Sequence, residues 1–250
     1  MERITPLCPR NRRWPPAVRA VTLLAALALH ATAAGALTVP FVEDFESGSA
    51  GFEDAVGDPV SFVPTGGADG GGFVRTEFSY FGFSSPFGGG PVIFRAHDSD
   101  DASGDAFVGD WLAAGVGAVR AFVRHDVPEG LTFFLRVATS FNFPGAVIQG
   151  SRATGPGGWQ EIVFPIDPAS PACIGESVSC ADALRQVGNV QFGTDAPAPL
   201  VQLDQSFTFD LDRVALLPIP EPAAAASLVG GMLGLALLAR RGRPRAGARR

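Results

Sequence analysis

Two consecutive stretches decide the fold: AVRAFVRH at residues 118–125 and LTFFLRVA at residues 131–138, with VPEG (127–130) between them. In the second stretch Leu131, Phe133, Leu135 and Val137 fall on one face, while Thr132, Phe134 and Arg136 fall on the other. This alternation is typical of a β-strand with one buried face. The turn residues between the two stretches predict a hairpin with an apolar inner face, which places His125 at its surface end.

Strand patterns continue on both sides of this pair, and no long helical period occurs between the two ends of the chain. A proline at position 40 places the first strand at a sheet edge or at a strand start, and residues 182–187 read as one or two helical turns. The strand patterns fall at residues 39–46, 60–63, 73–78, 91–96, 159–166, 189–192 and 207–217. We therefore predict an all-β fold over residues 37–217, an antiparallel β-sandwich of the jelly-roll type.

Residues 1–36 have the regions of a Sec-type signal peptide. Arginines 10, 12, 13 and 19 form a basic region, residues 20–34 are apolar, and Ala34-Gly35-Ala36 offers a small-residue cleavage site. An N-terminal membrane anchor or a buried helix is the alternative, but the apolar run is short for a membrane span. We expect export by the Sec machinery and cleavage by signal peptidase after Ala36.

Residues 218–250 have three parts, each with its own physical meaning. The box Pro220-Glu221-Pro222 is followed by an uncharged run at residues 223–239 and by six arginines that begin with Arg240 and Arg241. The run predicts a single transmembrane helix at the short end of the usual length, and the arginines place the C-terminus in the cytoplasm.

This order of parts resembles the PEP-CTERM sorting signal of Gram-negative bacteria. The resemblance implies that an exosortase-type transpeptidase of the inner membrane reads the box and processes the chain near it. The implied route is anchoring in the inner membrane before processing, then delivery to the cell surface or the extracellular matrix.

Charge is distributed unevenly along the chain. The formal net charge is −6, but residues 37–217 contain eight arginines against twenty-three acidic residues, which gives 8 − 23 = −15. Such an acidic domain repels phosphate backbones, so we expect no nucleic-acid partner. The chain also has no lysine, which excludes Schiff-base and P-loop chemistry.

Two cysteines remain after removal of the signal peptide, Cys173 and Cys180. A close pair in an exported protein predicts a disulfide that closes a small loop. Two free thiols and half of a metal site are the alternatives, and the absence of a nearby histidine argues against zinc.

Three stretches resemble the galactose-binding-like jelly rolls of many carbohydrate-binding modules: VEDFE (42–46), GWQEIVFP (158–165) and FTFDLDRV (207–214). The resemblance implies that fold and, more remotely, polysaccharide binding. The glycine-rich stretch 82–90 and the residue before it contain three phenylalanines, at positions 81, 83 and 87. These rings are candidates for stacking on sugar rings. Alternatively, they plug one end of the sandwich.

The same resemblance implies a structural calcium ion held by acidic residues of the first and last strands, here Glu43, Glu46, Asp210 and Asp212. A weaker candidate set lies in the loop after residue 97 and consists of Asp98, Asp100, Asp101 and Asp105. Solvated acidic turns are the alternative for both sets. His97 beside this loop is a possible metal ligand or an ordinary turn histidine.

The sequence contains no arrangement typical of an enzyme. Neither His97 nor His125 stands in a known pattern with a serine or cysteine nucleophile, and no G-x-S-x-G elbow is present. We therefore expect a non-catalytic structural or polysaccharide-binding protein of the cell envelope, associated with exopolysaccharide or biofilm. A hydrolase or lyase acting on polysaccharide on the same scaffold is the alternative.

Overall fold

The computed structural model describes residues 37–84 and 90–220. Within them eleven strands form two antiparallel sheets, which confirms the predicted β-sandwich. The strands are β1 (Phe41–Glu43), β2 (Ser61–Val63), β3 (Phe73–Ser79), β4 (Val92–His97), β5 (Val116–His125), β6 (Leu131–Ala138), β7 (Gly145–Thr154), β8 (Gln160–Pro165), β9 (Cys173–Glu176), β10 (Asn189–Thr194) and β11 (Ser206–Pro218). One helix, α1 (Cys180–Leu184), and short 3₁₀ turns at Asp98–Asp100, Ala102–Asp105 and Leu200–Gln202 complete the described fold.

The first sheet is organised around its longest strand, β11. The strand order is β2-β3-β11-β5-β8, and β1 pairs with the second half of β11. The register changes between Asp212 and Ala215, where Arg213 has a φ of 50°. This bulge lets β11 pair with β3 before the bulge and with β1 after it.

The second sheet has the strand order β4-β10-β6-β7-β9. Its middle strands, β10 and β6, are in register from the Asn189–Ala138 pair to the Thr194–Phe133 pair. Every residue of β10 is buried, although it includes Asn189, Gln191 and Thr194. Polar residues at these depths need hydrogen-bond partners. Gln191 Nε2 donates to Asn142 Oδ1, Asn189 Nδ2 donates to the Thr139 carbonyl oxygen at 2.6 Å, and Thr194 Oγ1 bonds to the Tyr80 hydroxyl.

The predicted hairpin between residues 118–125 and 131–138 is wrong. The two stretches are the strands β5 and β6, but β5 pairs with β11 and β8 whereas β6 pairs with β10 and β7. The connection after His125 crosses from one sheet to the other, and Val127 is fully buried in that crossing. The apolar faces of β5 and β6 both enter the core from opposite sheets, so the alternation identified the buried face but not the partner strand.

The core lies between the sheets and is rich in aromatic rings. Trp111, Tyr80, Phe133, Phe164 and Phe192 are each less than 2% exposed. Phe164 of the first sheet and Phe192 of the second approach to 6.0 Å between ring centroids. Burial of such side chains contributes roughly 1.5–3 kcal/mol each, and Tyr80 keeps its hydroxyl satisfied by a 2.6 Å hydrogen bond with Thr194 Oγ1.

Several smaller sequence predictions differ from the structure. His125 is 3% exposed rather than at the surface, and its ring lies between Phe133 and Phe209. The strands β7 and β9 were not predicted, since glycines and polar residues interrupt them, and α1 begins two residues before the predicted helical turns.

Among residues 37–84 and 90–220, no helix is long and apolar enough to cross a membrane. The predicted membrane helix at 223–239 and the signal peptide at 1–36 lie outside the described residues.

Candidate binding cleft

A cleft of about 980 Å³ lies on the outer face of the second sheet. Because strand side chains alternate, the residues of β6 that leave the core face, Thr132, Phe134 and Arg136, form part of its floor. Residues before β4 and after β10, among them Phe83 and Val201, form one wall. The opposite side includes Asn142, Ile174 and Glu176.

One row of the floor runs straight across the sheet. Arg95 of β4 is opposite Gln191 of β10, which is opposite Arg136 of β6, which is opposite Val147 of β7. Val147 in turn is opposite Ile174 of the edge strand β9. The row therefore passes from polar to apolar across the cleft, and its five members come from five different strands.

Arg136 is the centre of a hydrogen-bonded network in this floor. Its Nε donates to both carboxylate oxygens of Glu176 at 2.9 and 3.0 Å, and its Nη2 donates to Glu176 Oε2 at 2.7 Å. Its Nη1 donates to Asn142 Oδ1 at 2.7 Å and to Gln191 Oε1 at 3.0 Å. This guanidinium is held in one orientation before any ligand arrives, because every direction of its fork is occupied.

Gln191 and Asn142 extend the network. The Gln191 Nε2 atom donates to Asn142 Oδ1 at 2.8 Å and lies 3.2 Å from His97 Nε2. Asn142 adopts a φ of 60° in the tight loop between β6 and β7, where its backbone oxygen also accepts a 2.8 Å hydrogen bond from Arg136. The floor and the β6–β7 loop are thereby fixed to each other.

Aromatic and aliphatic surface lies beside these polar groups. The ring of Phe134 crosses the backbone of β10 at Gly193, where an added Cβ would meet Phe134 Cζ at 2.1 Å. Glycine is therefore required at position 193 for the ring to lie there. Phe83 lines the cleft, which favours the stacking interpretation of the aromatic loop over the plug, whereas Phe81 is 58% exposed and Phe87 is outside the described residues.

The charges that line the cleft balance. Arg95 and Arg136 are matched by Glu176 and Asp195, in a domain whose acidic residues otherwise far outnumber the arginines. Asp195 is engaged as well, since its Oδ1 accepts a 2.9 Å hydrogen bond from the backbone of Thr132. The cleft thus offers planar hydrogen-bonding groups rather than an excess of either charge.

Sequence reasoning did not single out Arg136, Gln191, Asn142 or Glu176. The available signal was Arg136 itself, a charged residue in the otherwise apolar stretch LTFFLRVA, and Gln191 within the apolar strand β10. Asn142 and Glu176 gave no such signal, because loops and edge strands are polar in any case.

Two of the four predicted calcium ligands, Glu46 and Asp212, meet at the glycine-rich loop 66–72. Glu46 Oε1 accepts a 3.3 Å hydrogen bond from the Gly72 amide, and Asp212 Oδ2 accepts a 2.6 Å hydrogen bond from the Ala68 amide. A methyl group added at Gly67 would meet Asp212 Oδ2 at 2.6 Å and the Gly72 carbonyl oxygen at 2.7 Å. Carboxylate and carbonyl oxygens therefore converge at this loop.

Asp212 gives the strongest indication of a cation site at this loop. Its side chain is fully buried, burial raises the pKa of its carboxyl, and its Oδ1 has no hydrogen-bond partner among the described residues. A hard cation bound by Asp212, Glu46 and loop carbonyls fits this donor set.

The other two members of the set lie elsewhere. Asp210 is 3% exposed and is bound by two arginines, with Arg75 Nε 2.7 Å from its Oδ1 and Arg124 Nε 2.7 Å from its Oδ2. Glu43 Oε1 accepts a 2.9 Å hydrogen bond from the Phe45 amide. A calcium role for Asp210 and Glu43 stays a prediction, and in Asp210 it would compete with two guanidinium groups.

The weaker acidic set is dispersed within its loop. Asp98 and Asp100 lie in the first 3₁₀ turn, while Asp101 and Asp105 have positive φ values of 51° and 58°. Of the four, Asp100 approaches two residues outside the set, Glu53 and His97. Binding of calcium by this loop stays a prediction.

Cys173 and Cys180 form the predicted disulfide. It links the first residue of β9 to the first residue of α1, and β9 carries Ile174 and Glu176 of the cleft. Of the sorting motif only Pro220 is among the described residues; Glu221, Pro222, Arg240 and Arg241 are not.

No family model matches the sequence, and no curated protein matches it. Among solved structures, an N-terminal endo-1,4-beta-D-xylanase of Clostridium thermocellum, containing CBM22-1 and GH10 modules with bound xylohexaose, is 16% identical with a TM-score of 0.44. The match covers 72% of this chain and 28% of that one.

Two further structures are similar at the same level. The CBM22-1 xylan-binding domain of Paenibacillus barcinonensis is 13% identical over 72% of this chain and 95% of its own, with a TM-score of 0.38. An exo-beta-agarase is 10% identical over 74% of this chain and 24% of its own, with a TM-score of 0.42. The chain spans about a quarter of the length of the xylanase and the agarase, and likeness at this level does not extend to function.

Proposed function

We propose that this protein binds a polysaccharide chain in the cleft of the second sheet and does so without catalysis. The observation that carries the proposal is the fixed network of Arg136, Gln191, Asn142 and Glu176 beside the rings of Phe134 and Phe83. Sugar hydroxyls pair with planar polar groups of this kind, and the apolar faces of sugar rings pack on aromatic surface.

The hydrogen bonds that the two cleft carboxylates accept support a binding role over hydrolysis. A glycosidase needs one carboxyl group that gives up a proton and a second that acts as base or nucleophile. Both acidic residues that line this cleft already accept hydrogen bonds within the protein, Glu176 from Arg136 and Asp195 from Thr132. The competing proposal is a hydrolase or lyase on the same scaffold.

The cellular setting of the proposal rests on the two ends of the sequence and on the disulfide. The signal peptide predicted at 1–36 and the PEP-CTERM-like tail predicted at 218–250 support export and sorting by an exosortase-type system. A disulfide is typical of proteins that leave the reducing cytoplasm. The proposed destination is the cell surface or extracellular matrix, where exopolysaccharide is the expected ligand.

The binding proposal is tested by affinity electrophoresis of the full chain against a panel of soluble exopolysaccharides and plant glycans. We expect Arg136→Ala to weaken binding at least tenfold, because it removes one partner of Glu176, Asn142 and Gln191 together. Phe83→Ala should weaken binding several-fold through lost stacking. Arg185→Ala serves as the matched control, since Arg185 lies exposed beside α1, away from the cleft.

Two results would overturn the proposal. One is the absence of binding to every polysaccharide in the panel; the other is equal affinity of the Arg136→Ala and Arg185→Ala variants. Release of reducing or unsaturated sugar ends from any panel member, lost on changing one cleft carboxylate, would favour the hydrolase or lyase instead.

A further inference from the structure

Three potential metal ligands from separate segments meet at the edge of the second sheet beside β4. Glu53 is attached to β4 by a pair of backbone hydrogen bonds with Arg95, at 2.8 and 2.9 Å. His97 is the last residue of β4, and Asp100 lies in the 3₁₀ turn that follows. One ligand atom from each of Glu53, His97 and Asp100 lies within 4.8 Å of the other two.

The loop that carries Asp100 is fastened to the segment that carries Glu53. Ser103 donates a 2.8 Å backbone hydrogen bond to Ala50, and Gly51 leaves no room for a side chain, because an added Cβ would meet the Asp100 carbonyl oxygen at 2.7 Å. The backbone segments that carry the two carboxylates are therefore fastened to each other.

The charge of Arg95 acts on Glu53, but neither carboxylate forms an ion pair with it. The neighbouring Arg95 is turned aside, since its Nη2 donates to the Ala55 carbonyl oxygen at 2.7 Å. No salt bridge within residues 37–84 and 90–220 includes Glu53 or Asp100. Neither carboxylate is therefore held in an ion pair with a cation of the described residues.

His97 supplies a neutral nitrogen ligand. Arg136 donates to Gln191 Oε1, so the Gln191 amide must turn its Nε2 toward His97 Nε2, which then accepts a hydrogen bond. A neutral imidazole that accepts at Nε2 carries its proton on Nδ1, so a metal ion bound to this tautomer takes the Nε2 lone pair in place of the Gln191 hydrogen bond. The neutral ring is the form that binds metal ions.

We propose that Glu53, His97 and Asp100 bind one divalent transition-metal ion of the zinc class. One imidazole nitrogen with two carboxylate oxygens suits Zn²⁺ and its neighbours, whereas Ca²⁺ prefers oxygen ligands alone. Bonds of about 2.0–2.2 Å need ligand atoms roughly 3–4 Å apart, within the 4.8 Å limit that the three atoms satisfy, and the exposed Asp100 side chain can adjust. The remaining coordination positions are left to water.

This site is separate from the calcium loop, although His97 contacts Gln191 of the cleft floor. It shares no residue with Glu46 and Asp212, and its donor set favours a different class of ion. The two metal sites can therefore be distinguished by the ion they take.

The test is equilibrium dialysis of the full chain against Zn²⁺ with excess Ca²⁺ present, followed by metal analysis, together with Co²⁺ absorption spectra. We expect one bound Zn²⁺ per chain and a Co²⁺ band in the visible region. Glu53→Gln, His97→Gln and Asp100→Asn should each weaken Zn²⁺ binding at least tenfold and remove the band. Asp101→Asn is the matched control in the same loop, and asparagine tolerates its positive φ.

Two outcomes would overturn the proposal. One is the absence of stoichiometric Zn²⁺ on the wild-type chain. The other is Zn²⁺ that remains bound in the His97→Gln variant, or that is lost equally in Asp101→Asn and Asp100→Asn. Circular dichroism of each variant at the same temperature separates loss of the ion from loss of the fold.

Discussion

Asp210 and Asp212 lie two residues apart on β11, yet their environments are opposite. Asp210 is neutralised by the guanidinium groups of Arg75 and Arg124, and Arg124 also lies 4.5 Å from the centre of the Trp159 ring. Asp212 is buried behind the bulge at Arg213, with one oxygen unpartnered among the described residues. A buried carboxylate without a countercharge costs stability, so an ion at Asp212 would have a large effect.

The first prediction concerns this carboxylate, and we propose calcium as its partner. At free Ca²⁺ about 100-fold above the dissociation constant, binding should add roughly 2.7 kcal/mol to the free energy of unfolding. Excess EGTA should therefore lower the melting temperature by roughly 5–10 °C. The Trp159 indole donates to the Gly66 carbonyl oxygen at 3.0 Å, so its fluorescence should report ordering of the loop on addition of Ca²⁺.

The Asp212→Asn variant tests the direction of the calcium effect on stability. The variant removes a buried charge, so in EGTA it should be at least as stable as the wild-type chain, whereas in Ca²⁺ it should be less stable. Glu77→Gln removes an exposed charge from β3 and should leave the calcium effect intact. A melting temperature that EGTA leaves unchanged in the wild-type chain would refute calcium binding at this loop.

At the scale of elements, β9 is the least supported part of the cleft. It is a four-residue edge strand that pairs with β7 alone, and residues 167–172 before it contain no strand. Its attachment to α1 through Cys173 and Cys180 compensates for the missing second neighbour. Because β9 holds Glu176 against Arg136, the disulfide stabilises the strand that forms one side of the cleft.

The second prediction is that the Cys173→Ala/Cys180→Ala double variant loses stability and affinity together. The bridge closes a loop with a sequence separation of 7, and the chain-entropy model assigns about 2–3 kcal/mol to a loop of that size. Urea unfolding should show this loss, and polysaccharide binding should weaken with it. Reductant should reproduce both effects in the wild-type chain and should add nothing in the double variant; an unchanged urea midpoint would contradict the prediction.

The elements also show what the sequence could and could not predict. Alternation identified β5, β6, β8 and β11, because one buried face imposes a period of two. It could not identify partner strands, since Phe133 and Val123 enter the same core whether their strands pair or face each other across it. The strand β7 could not be predicted because glycine stands where the neighbouring strand comes close. An added Cβ at Gly150 would meet the Phe133 carbonyl oxygen at 2.4 Å.

The candidate site was harder to predict than the fold. Cys173 and Cys180 are near neighbours in sequence, and the pair was predicted correctly. The row from Arg95 to Gln191 to Arg136 depends on the register of three strands from distant parts of the chain. Register follows from the packing of both sheets and leaves no local trace in a single sequence.

The molecule as a whole has a clear division between its two sheets. The cleft lies on the second sheet, whereas β1 and β11, which contain the first and last strand residues described, pair with each other in the first. Phe41 is opposite Leu216, so the two ends of the domain leave from neighbouring strands. A ligand in the cleft and the segments that continue from the domain therefore use different sheets.

The third prediction concerns processing at this scale. If the tail is read as a PEP-CTERM signal, the mature protein should end near Pro220-Glu221-Pro222 and should lack the arginines that begin at Arg240. Intact-mass spectrometry of protein isolated from the cell surface checks both ends at once, including cleavage after Ala36. Replacing Glu221 by alanine should retain the full-length C-terminus, and native protein that still carries Arg240 and Arg241 would refute processing.

The position of β11 has a mechanical consequence. This strand is flanked along its length by β5 on one side and by β3 and β1 on the other, and the chain continues from its end through Ile219. If the protein is tethered through its C-terminal side while a polymer pulls on the cleft, the load enters β11 along its axis. Interstrand hydrogen bonds then bear the force in shear, all together, instead of opening one after another as in a zipper. If the proposed binding holds, the β-sandwich that presents the cleft is suited to hold a polymer under tension.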